Sequence, residues 1–317
     1  MGRWREAPEG LVASSIAFLF PGQGSQQPGM GTELLQDEEV SALCDRCESA
    51  AGVDLRRLLT TDSDDELRLT QNAQPALCFV GIALTLLLRR RGIEPAGAAG
   101  HSVGEYAALA AGGAVTAPQV IKAVVERGKA MAEAAPAGTS SMAAVLGLDA
   151  QAIEVALAGM NDAWPANYNT PTQTVIAGTM TGLEVATQRL QVAGAKRVIP
   201  LNVSAAFHTP LMAPAAERLR AALDRVEWRS PRIPVMANLT GRAHQGGDRI
   251  PHVMEMQLRS LVRWAACIGS LLEMGCDMFI EVGPKRALTG MMRELAPGRA
   301  ASAVATPTAV QELELTA

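Results

Sequence analysis

The chain has 317 residues, of which 48% are hydrophobic and 19% are charged, and its net charge at pH 7 is −4. A chain of this length can bury a full hydrophobic core and is long enough for one large domain with a smaller one. The acidic balance argues against a nucleic-acid partner, and no apolar run has the length of a membrane-spanning helix, so we expect no membrane segment.

The cysteines indicate the compartment. Five cysteines, an odd number, are typical of a reducing environment, and no secretory signal precedes the first predicted strand, so we expect a cytoplasmic protein. Cys44 and Cys47 form a C-x-x-C pattern within a stretch of helical character. Because no second Cys or His pair with metal-ligand spacing follows, we predict no metal site.

The first predicted strand, residues 15–20, runs into a glycine-rich loop, residues 21–31. The loop lacks the lysine of a phosphate-binding loop and does not match G-x-G-x-x-G, which argues against a dinucleotide-binding enzyme. Its amides and glutamines suit an oxyanion better than a polyphosphate. The alternative is a connecting loop without function.

The next elements lead to a strand, a sharp turn and a helix. Residues 33–51 and 63–69 predict amphipathic surface helices, and residues 76–91 predict a long buried helix. Residues 95–99 are short and apolar, and residues 105–111 have a helix-forming composition.

The pentapeptide Gly100-His101-Ser102-Val103-Gly104 forms the turn between them. Glycines two positions before and after Ser102 allow a tight turn that exposes the hydroxyl, which suits a nucleophile. The amide of Val103 would then point to the place where an oxyanion forms. The alternative is an ordinary glycine-rich turn that holds a serine, because this pattern alone is only suggestive.

A further helix, predicted from about residue 116 to residue 135, carries Arg127 at the edge of its apolar side. Arg127 lies seven residues, roughly two turns, after Val120. A guanidinium in that position must be paired or face a cleft. It either forms an internal salt bridge or is a fixed fork for a ligand carboxylate.

From Ser140 onward, the pattern β-α-β-β-α-β predicts a ferredoxin-like unit inserted into a larger α/β domain. We expect its two junctions, near residues 136–138 and 203–204, to be hinge-like. The predicted divisions are 14–137 and 205–297 for the large domain, 138–204 for the small domain, and 1–13 and 298–317 for loosely held tails.

The chain has four histidines, and His208 is the one in an apolar stretch, between Phe207 and a Thr-Pro pair. This makes it a candidate base, although a satisfied core histidine is an equal alternative. His101 is expected to point to the other side of the turn, His244 lies in a polar loop, and His252 opens a helix. Helices alternate with strands from there to the predicted C-terminal tail, which predicts an α/β sheet layered by helices.

Seven separated motifs together resemble the malonyl-CoA:acyl carrier protein transacylase family, which includes the acyltransferase domains of polyketide synthases. The resemblance covers residues 15–295 and implies an α/β-hydrolase-like large domain with a parallel sheet. The motifs are Gly22-Gln23-Gly24-Ser25-Gln26, Gly100-His101-Ser102-Val103-Gly104-Glu105, Arg127-Gly128 with Met131, Asn167-Tyr168-Asn169, Ala206-Phe207-His208, Gln257-Leu258 before Val262-Arg263-Trp264, and Glu281-Val282-Gly283-Pro284.

The resemblance implies a role for each matching residue. Ser102 looks like the acyl-accepting nucleophile and His208 like its general base, oriented by the backbone carbonyl of Gln257 rather than by an aspartate. The oxyanion donors would be the amides of Gln23 and Val103. The implied substrate-binding residues are Arg127, which would grip the free malonyl carboxylate, with Met131, Phe207 and Asn169.

The implied reaction is ping-pong transfer of malonyl from malonyl-CoA, through an acyl-serine, to the phosphopantetheine thiol of a separate acyl carrier protein. No cofactor of its own is implied. The carrier is usually acidic, and basic candidates for steering it are Arg259, Arg263, Lys285 and Arg286. Family members are often monomeric, and we expect a monomer.

The substrate and the pathway stay open at this point. Phe207 and Val103 resemble the malonyl-selective members, but methylmalonyl and other extenders are alternatives, as are fatty acid and polyketide pathways. One rival is an acyl hydrolase of the same fold, against which Arg127 argues because a buried guanidinium penalises an apolar acyl group. Another rival is a non-catalytic docking module, which the intact set of site residues disfavours.

Overall fold

The computed structural model describes residues 15–134, 138–203 and 205–315. Its strands form two sheets. The strands are, in chain order, β1 (Ile16–Phe20), β2 (Gly97–Gly100), β3 (Ser140–Leu146), β4 (Ala163–Thr170), β5 (Gln173–Thr179), β6 (Arg197–Pro200), β7 (Val235–Met236), β8 (Met278–Val282) and β9 (Ala300–Val304).

The helices layer these sheets, as the alternating pattern predicts. They are α1 (Glu38–Ala51), α2 (Leu55–Thr60), α3 (Asp64–Arg68), α4 (Thr70–Arg90), α5 (Gly104–Ala111), α6 (Ala117–Glu133), α7 (Ala150–Ala156), α8 (Met180–Val192), α9 (Ala213–Leu223), α10 (Ile250–Leu258), α11 (Trp264–Glu273), α12 (Ala287–Leu295) and α13 (Pro307–Glu312), with short 3₁₀ turns at Leu34–Gln36, Pro210–Met212 and Gly247–Arg249.

The larger sheet is parallel and has the strand order β7-β2-β1-β8-β9. Every residue of β1 is buried, because helices cover both faces of a parallel sheet. Phe20, the last residue of β1, lies opposite Gly100, the last residue of β2. The glycine-rich loop and the Ser102 turn therefore leave the same carboxyl edge side by side, where open α/β sheets bind ligands.

The long helix α4 begins earlier than predicted. The polar segment 70–75 belongs to the helix, since the side chains of Thr70 and Gln74 are buried rather than solvated. By length and composition α4 could cross a membrane, but 78% of its apolar window is buried inside the protein. Burial of this extent is typical of a core helix.

The smaller sheet is antiparallel and has the strand order β4-β5-β3-β6. Helices α7 and α8 pack on it through a separate apolar core that includes Val145, Ile153, Ile176 and Leu190. This is the predicted ferredoxin-like unit, and the predicted fold class is confirmed. The predicted hinges fall largely at residues 135–137 and 204, outside the described residues, so the domain boundaries stay predictions.

A third connection ties the two parts together. The amide of Tyr168 donates to the carbonyl of Val262, and the amide of Val262 donates to the carbonyl of Ala166, both at 2.9 Å. The middle of β4 is thus bonded to the segment just before α11 of the large domain. This connection restrains the small domain in addition to its two chain junctions.

The prediction of a loosely held tail from residue 298 onward is wrong. Strand β9 pairs along its whole length with β8, and Val304 and Val310 are buried. Arg91 also donates to the carbonyl of Val310. The strand was missed because its composition, Ala-Ala-Ser-Ala-Val, carries little β-propensity, so only tertiary pairing reveals it. The predicted N-terminal tail, residues 1–13, lies outside the described residues.

Candidate active site

The turn between β2 and α5 has the geometry of a nucleophile elbow. Ser102 has a φ of 55°, and among the described non-glycine residues only His208, with a φ of 61°, is also in the left-handed region. A Cβ on Gly100 would collide with the backbone of Gly104, and one on Gly104 would collide with the carbonyl of Phe20. The two glycines are therefore required sterically, and backbone strain is concentrated on the two residues predicted to do the chemistry.

Ser102 and His208 are in direct contact. The Ser102 Oγ lies 2.7 Å from Nε2 of His208, and the His208 Nδ1 lies 3.0 Å from the backbone carbonyl oxygen of Gln257. That carbonyl can only accept, so it fixes the proton on Nδ1 and leaves the Nε2 lone pair facing the hydroxyl. The described contacts of the ring thus match the predicted orientation by Gln257 without a carboxylate.

Burial, with the nearby Arg127 charge as a second cause, lowers the pKa of His208 to about 3. His208 is only 4% exposed. It is therefore neutral at physiological pH and able to accept the serine proton. Once protonated it becomes a strong acid, which favours rapid return of the proton to a leaving group.

Arg127 is fully buried on α6, beside the serine. Its Nη1 donates to Oε1 of Gln74 at 2.7 Å, and its Nη2 donates to the Ser102 Oγ at 3.1 Å and to Oε1 of Gln257 at 3.2 Å. The guanidinium lies over the ring of Tyr106, with the Arg127 Cζ 5.7 Å from the ring centroid. Burial lowers the pKa of Arg127.

No carboxylate of the described chain lies within salt-bridge distance of Arg127, so the internal salt bridge that the sequence left open is absent from this part of the chain. Its Nε is also buried without a hydrogen-bond partner in the described structure. A buried guanidinium that neutral amides and a hydroxyl hold in place keeps its full charge for a ligand anion.

Gln74 was missed by the sequence analysis. It lies on α4, is 1% exposed, and contacts Met131 Sδ at 3.2 Å and Gln23 Oε1 at 3.4 Å in addition to Arg127. It thereby links the guanidinium to the glycine-rich loop. The available signal was the polar run 70–74 directly before an apolar helical pattern. Polar side chains that continue a buried helix need hydrogen-bond partners inside the protein.

The glycine-rich loop packs against the elbow. A Cβ on Gly22 would lie 2.7 Å from the His101 carbonyl oxygen, and Ser25 Oγ donates to the Gly22 carbonyl at 2.7 Å. The Gln23 side chain donates to Thr70 Oγ1 at 3.1 Å. Gln23 follows β1, and Val103 follows Ser102 after the neighbouring β2, so both predicted oxyanion donors lie at the same edge of the sheet as the serine.

A cavity of about 360 Å³ opens above the serine. The predicted site residues that line it are Gln23, Ser102, Met131, Asn169, Phe207 and His208. The small domain contributes Met142, Asn167 and Val175, and α12 contributes Leu288 and Met291. Arg127, Gln257 and Val103 lie behind this lining, buried. The cavity has polar groups at its base and mostly apolar walls, as small-molecule sites commonly do.

The expectation for His101 is wrong, because its ring lines the same cavity instead of pointing away from it. Its Nε2 lies 3.0 Å from Asn169 Oδ1, and its ring packs 5.5 Å from that of Trp264. Burial lowers its pKa. Asn169 reaches it from β4, a contact across the two domains that local sequence patterns do not encode.

Beneath the elbow lies a polar network that the sequence analysis also missed. Asn238 accepts from the Ser102 amide and donates to the Gly100 carbonyl, both at 2.7 Å. The side chain of Gln257 donates to the Ser102 carbonyl and to Glu105 Oε2, both at 2.9 Å. Both peptide groups of Ser102 are therefore held by buried amide side chains, which maintains the strained turn.

The described residues contain no group of three or more potential metal ligands. Cys44 and Cys47 are buried on α1, and burial raises the pKa of both thiols to about 12. These thiols are inert core groups at neutral pH.

Comparison with known proteins gives one consistent result. The family model described as "Acyl transferase domain" matches residues 17–312. The chain is 39% identical over 303 residues to the malonyl CoA-acyl carrier protein transacylase of Bacillus subtilis strain 168, which covers 94% of this chain and 96% of that protein. It is 37% identical over 306 residues to the protein of the same name from Escherichia coli K12, with 94% and 98% covered.

Solved structures agree. An acyl carrier protein S-malonyltransferase from Vibrio cholerae has a TM-score of 0.90 and 36% identity, with 95% of this chain and 100% of that one covered. A malonyl-transacylase solved in complex with its type II polyketide synthase acyl-carrier protein has a TM-score of 0.88 and 36% identity, with 94% and 98% covered.

Proposed function

The chain belongs to the acyl transferase domain family, and on that premise we propose that it moves a malonyl group from malonyl-CoA to the phosphopantetheine thiol of an acyl carrier protein. The observation that carries the choice of acyl group is Arg127, a buried guanidinium with no described carboxylate partner, 3.1 Å from the Ser102 hydroxyl. A malonyl group esterified to Ser102 would offer its free carboxylate to this fork. The family resemblance that the sequence predicts is confirmed.

The first half-reaction loads the serine. Nε2 of His208 accepts the proton of the Ser102 hydroxyl as the oxygen attacks the thioester carbonyl. The amides of Gln23 and Val103 hold the oxyanion of the tetrahedral intermediate. The intermediate collapses when the protonated His208 donates to the sulfur, and coenzyme A leaves as a thiol.

The second half-reaction runs the same steps in reverse. The phosphopantetheine thiol gives its proton to His208 and attacks the acyl-serine carbonyl. His208 then returns the proton to the Ser102 oxygen, and the carrier leaves as its malonyl thioester. These steps use side chains and amides of this chain and the thiol of the carrier, so we propose that the enzyme needs no cofactor of its own.

The walls of the cavity affect how long the acyl-serine persists and which acyl group it carries. Phe207 stands next to His208 and lines the cavity, where it limits the room for a branch on the acyl group. Met131 and Asn169 line the same space, which supports their predicted contact with substrate. We therefore assign malonyl rather than methylmalonyl as the preferred group.

The carrier protein would dock at the rim of the cavity. Lys285 is exposed and donates to the carbonyl of Gly24, in the glycine-rich loop, at 3.1 Å, and Arg286 beside it is exposed as well. A basic rim attracts an acidic carrier. All five cysteines are free thiols, which suits the cytoplasm as the place of action.

The proposal is tested by the intact mass of the protein after brief incubation with malonyl-CoA, followed by addition of a phosphopantetheinylated carrier protein. We expect a malonyl adduct that disappears when the carrier gains the same mass, and no adduct in Ser102→Ala. An enzyme that instead releases free malonate at the same rate with or without the carrier is a hydrolase, and the proposal is then wrong. A protein that forms no adduct but binds the carrier is a docking module.

A further inference from the structure

We propose that His244 is a positioning residue for this site, which acts through Glu105 to fix the side-chain amide of Gln257 and, through it, Arg127. The inference rests on the proposed function where it concerns the malonyl carboxylate. It concerns a histidine that the motifs do not include and that the reaction steps do not use.

His244 and Glu105 form a buried pair. The His244 Nε2 lies 2.7 Å from Glu105 Oε1, and the two side chains are 1% and 0% exposed. The His244 amide donates to the Val235 carbonyl at 2.8 Å, so the loop after β7 is pinned to the sheet where it delivers the ring. A carboxylate this deep needs a donor or a cation on each oxygen, and His244 supplies it for Oε1.

The second carboxylate oxygen faces the active site. Glu105 Oε2 accepts from the Asn238 amide at 3.0 Å and from the Gln257 side chain at 2.9 Å. Gln257 thus turns its NH₂ group toward this carboxylate oxygen, which accepts its hydrogen bond. Its Oε1 then faces Arg127, at 3.2 Å from Nη2.

The orientation of this amide decides whether the guanidinium is supported or repelled. Rotation of the Gln257 amide by half a turn would bring its NH₂ group against Arg127, and two sets of donors would face each other. Arg127 would then lose one of its three described hydrogen bonds and shift relative to the Ser102 hydroxyl. Loss of the His244 donor leaves the buried Oε1 of Glu105 without its partner and favours displacement of the carboxylate, which then no longer enforces the orientation.

The same pair supports the nucleophile. The side chain of Gln257 donates to the Ser102 carbonyl. The backbone N–H of Asn238 donates to Glu105, and the side-chain oxygen of Asn238 accepts from the backbone N–H of Ser102. His244 is thus linked through Glu105 to Asn238 and Gln257, the two residues whose side chains hold the peptide groups of Ser102.

The test compares four variants. His244→Leu removes the donor, and His244→Gln keeps a donor at about the reach of Nε2. His244→Asn ends near the position of Nδ1 and cannot reach Glu105, so it replaces His244→Leu if that variant does not fold. The matched control is Ser270→Ala, because Ser270 Oγ donates at 2.6 Å to the Gly241 carbonyl in the same loop without touching Glu105.

The first readout is the ratio of Ser102 loading rates with malonyl-CoA and acetyl-CoA. We expect the ratio to fall by roughly 10-fold in His244→Leu or His244→Asn, the size of one hydrogen bond lost at a charged group. His244→Gln and Ser270→Ala should keep the ratio of the wild type. A wild-type ratio in both His244→Leu and His244→Asn would mean that His244 does not act on Arg127. A His244→Gln variant as defective as His244→Leu would mean that the ring only fills space. Either result would overturn the inference.

The second readout does not depend on the acyl group. We expect a serine-directed fluorophosphonate to label Ser102 roughly 10-fold more slowly in His244→Leu, with recovery in His244→Gln. If the wild type does not load malonyl, the proposed function is wrong, and this labelling still decides the role of His244. Labelling at the wild-type rate in both His244→Leu and His244→Asn would contradict that role.

Discussion

The two domains contribute to the cavity in different ways. The large domain supplies Ser102, His208 and Arg127, each of which hydrogen bonds to buried polar partners. The small domain supplies wall residues and none of the reacting groups, with the apolar Met142 and Val175 and the polar Asn167 and Asn169 as examples. Such a division lets the wall vary in shape while the reacting groups stay fixed by a satisfied hydrogen-bond network.

The largest effects are expected when a reacting side chain of the large domain is removed. His208→Ala removes the proton acceptor that lies 2.7 Å from the Ser102 oxygen. The rate of malonyl loading should fall by about 10³-fold or more, as is usual when a base that activates a serine is lost. Rapid-quench measurement of acyl-enzyme formation checks this, with melting temperature as the control for folding. A loss of less than about 10-fold would show that His208 is not the base.

The pH dependence of malonyl loading tests the role of His208 without a substitution. Because burial lowers the pKa of His208 to about 3, the neutral, proton-accepting ring persists far below the usual histidine range. The kcat/KM for malonyl loading should therefore stay level from pH 8 down to about pH 5 and fall only in more acidic solution, as the ring is protonated. An acid limb with a midpoint near 6.5, the ordinary histidine value, would contradict the account.

A change in the wall should alter the choice of acyl group and spare the chemistry. Phe207→Ala enlarges the cavity beside His208, and the ratio of methylmalonyl to malonyl loading should rise by about 10-fold, the value of one methyl group in an apolar pocket. Competition between the two acyl-CoA substrates, read by intact mass, measures it. Val175→Ala on β5, at a wall position of the small domain, is the comparison variant. A fall of both rates together in Phe207→Ala would mean that the aromatic ring supports the histidine instead.

The smallest effect is expected at the rim. Lys285→Ala should raise the KM for the carrier by about 3-fold at low salt and leave malonyl loading unchanged, since exposed charges contribute weakly and are screened. Lys129→Ala removes an exposed lysine on α6 that is not among the cavity residues, and it serves as the control. A Lys285→Ala variant with an unaltered KM at low salt would remove Lys285 from the docking surface.

The sequence predicted the parts of the site that are local. The elbow around Ser102 depends on glycines within five consecutive residues, and the first strand and its loop are equally contiguous. His208 was a candidate base from its apolar surroundings, but its pairing with Ser102 and the role of Gln257 came only from the family motifs, because the three residues lie far apart in the sequence. The distances from His208 to Ser102 and to the Gln257 carbonyl support these assignments. The chemical roles of the residues stay predictions.

What the sequence did not predict depends on pairings between distant segments. Asn238 reaches Ser102 across 136 positions, and His244 reaches Glu105 across 139. Strand β9 was missed because its identity as a strand comes from β8 beside it. A histidine in a polar loop and an alanine-rich segment carry no local signal of such partners, since their roles come from tertiary contacts.

The claim that Arg127 selects a dicarboxylic acyl group is tested most directly by the ratio of kcat/KM for malonyl-CoA to that for acetyl-CoA in Ser102 loading. In Arg127→Ala we expect this ratio to fall by about 100-fold, because charge-assisted hydrogen bonds to the carboxylate are lost while the acetyl group makes none. Lys129→Ala, which removes an exposed cation from the same helix, should keep the wild-type ratio. An Arg127→Ala variant that loses both activities equally and keeps the ratio would contradict the account.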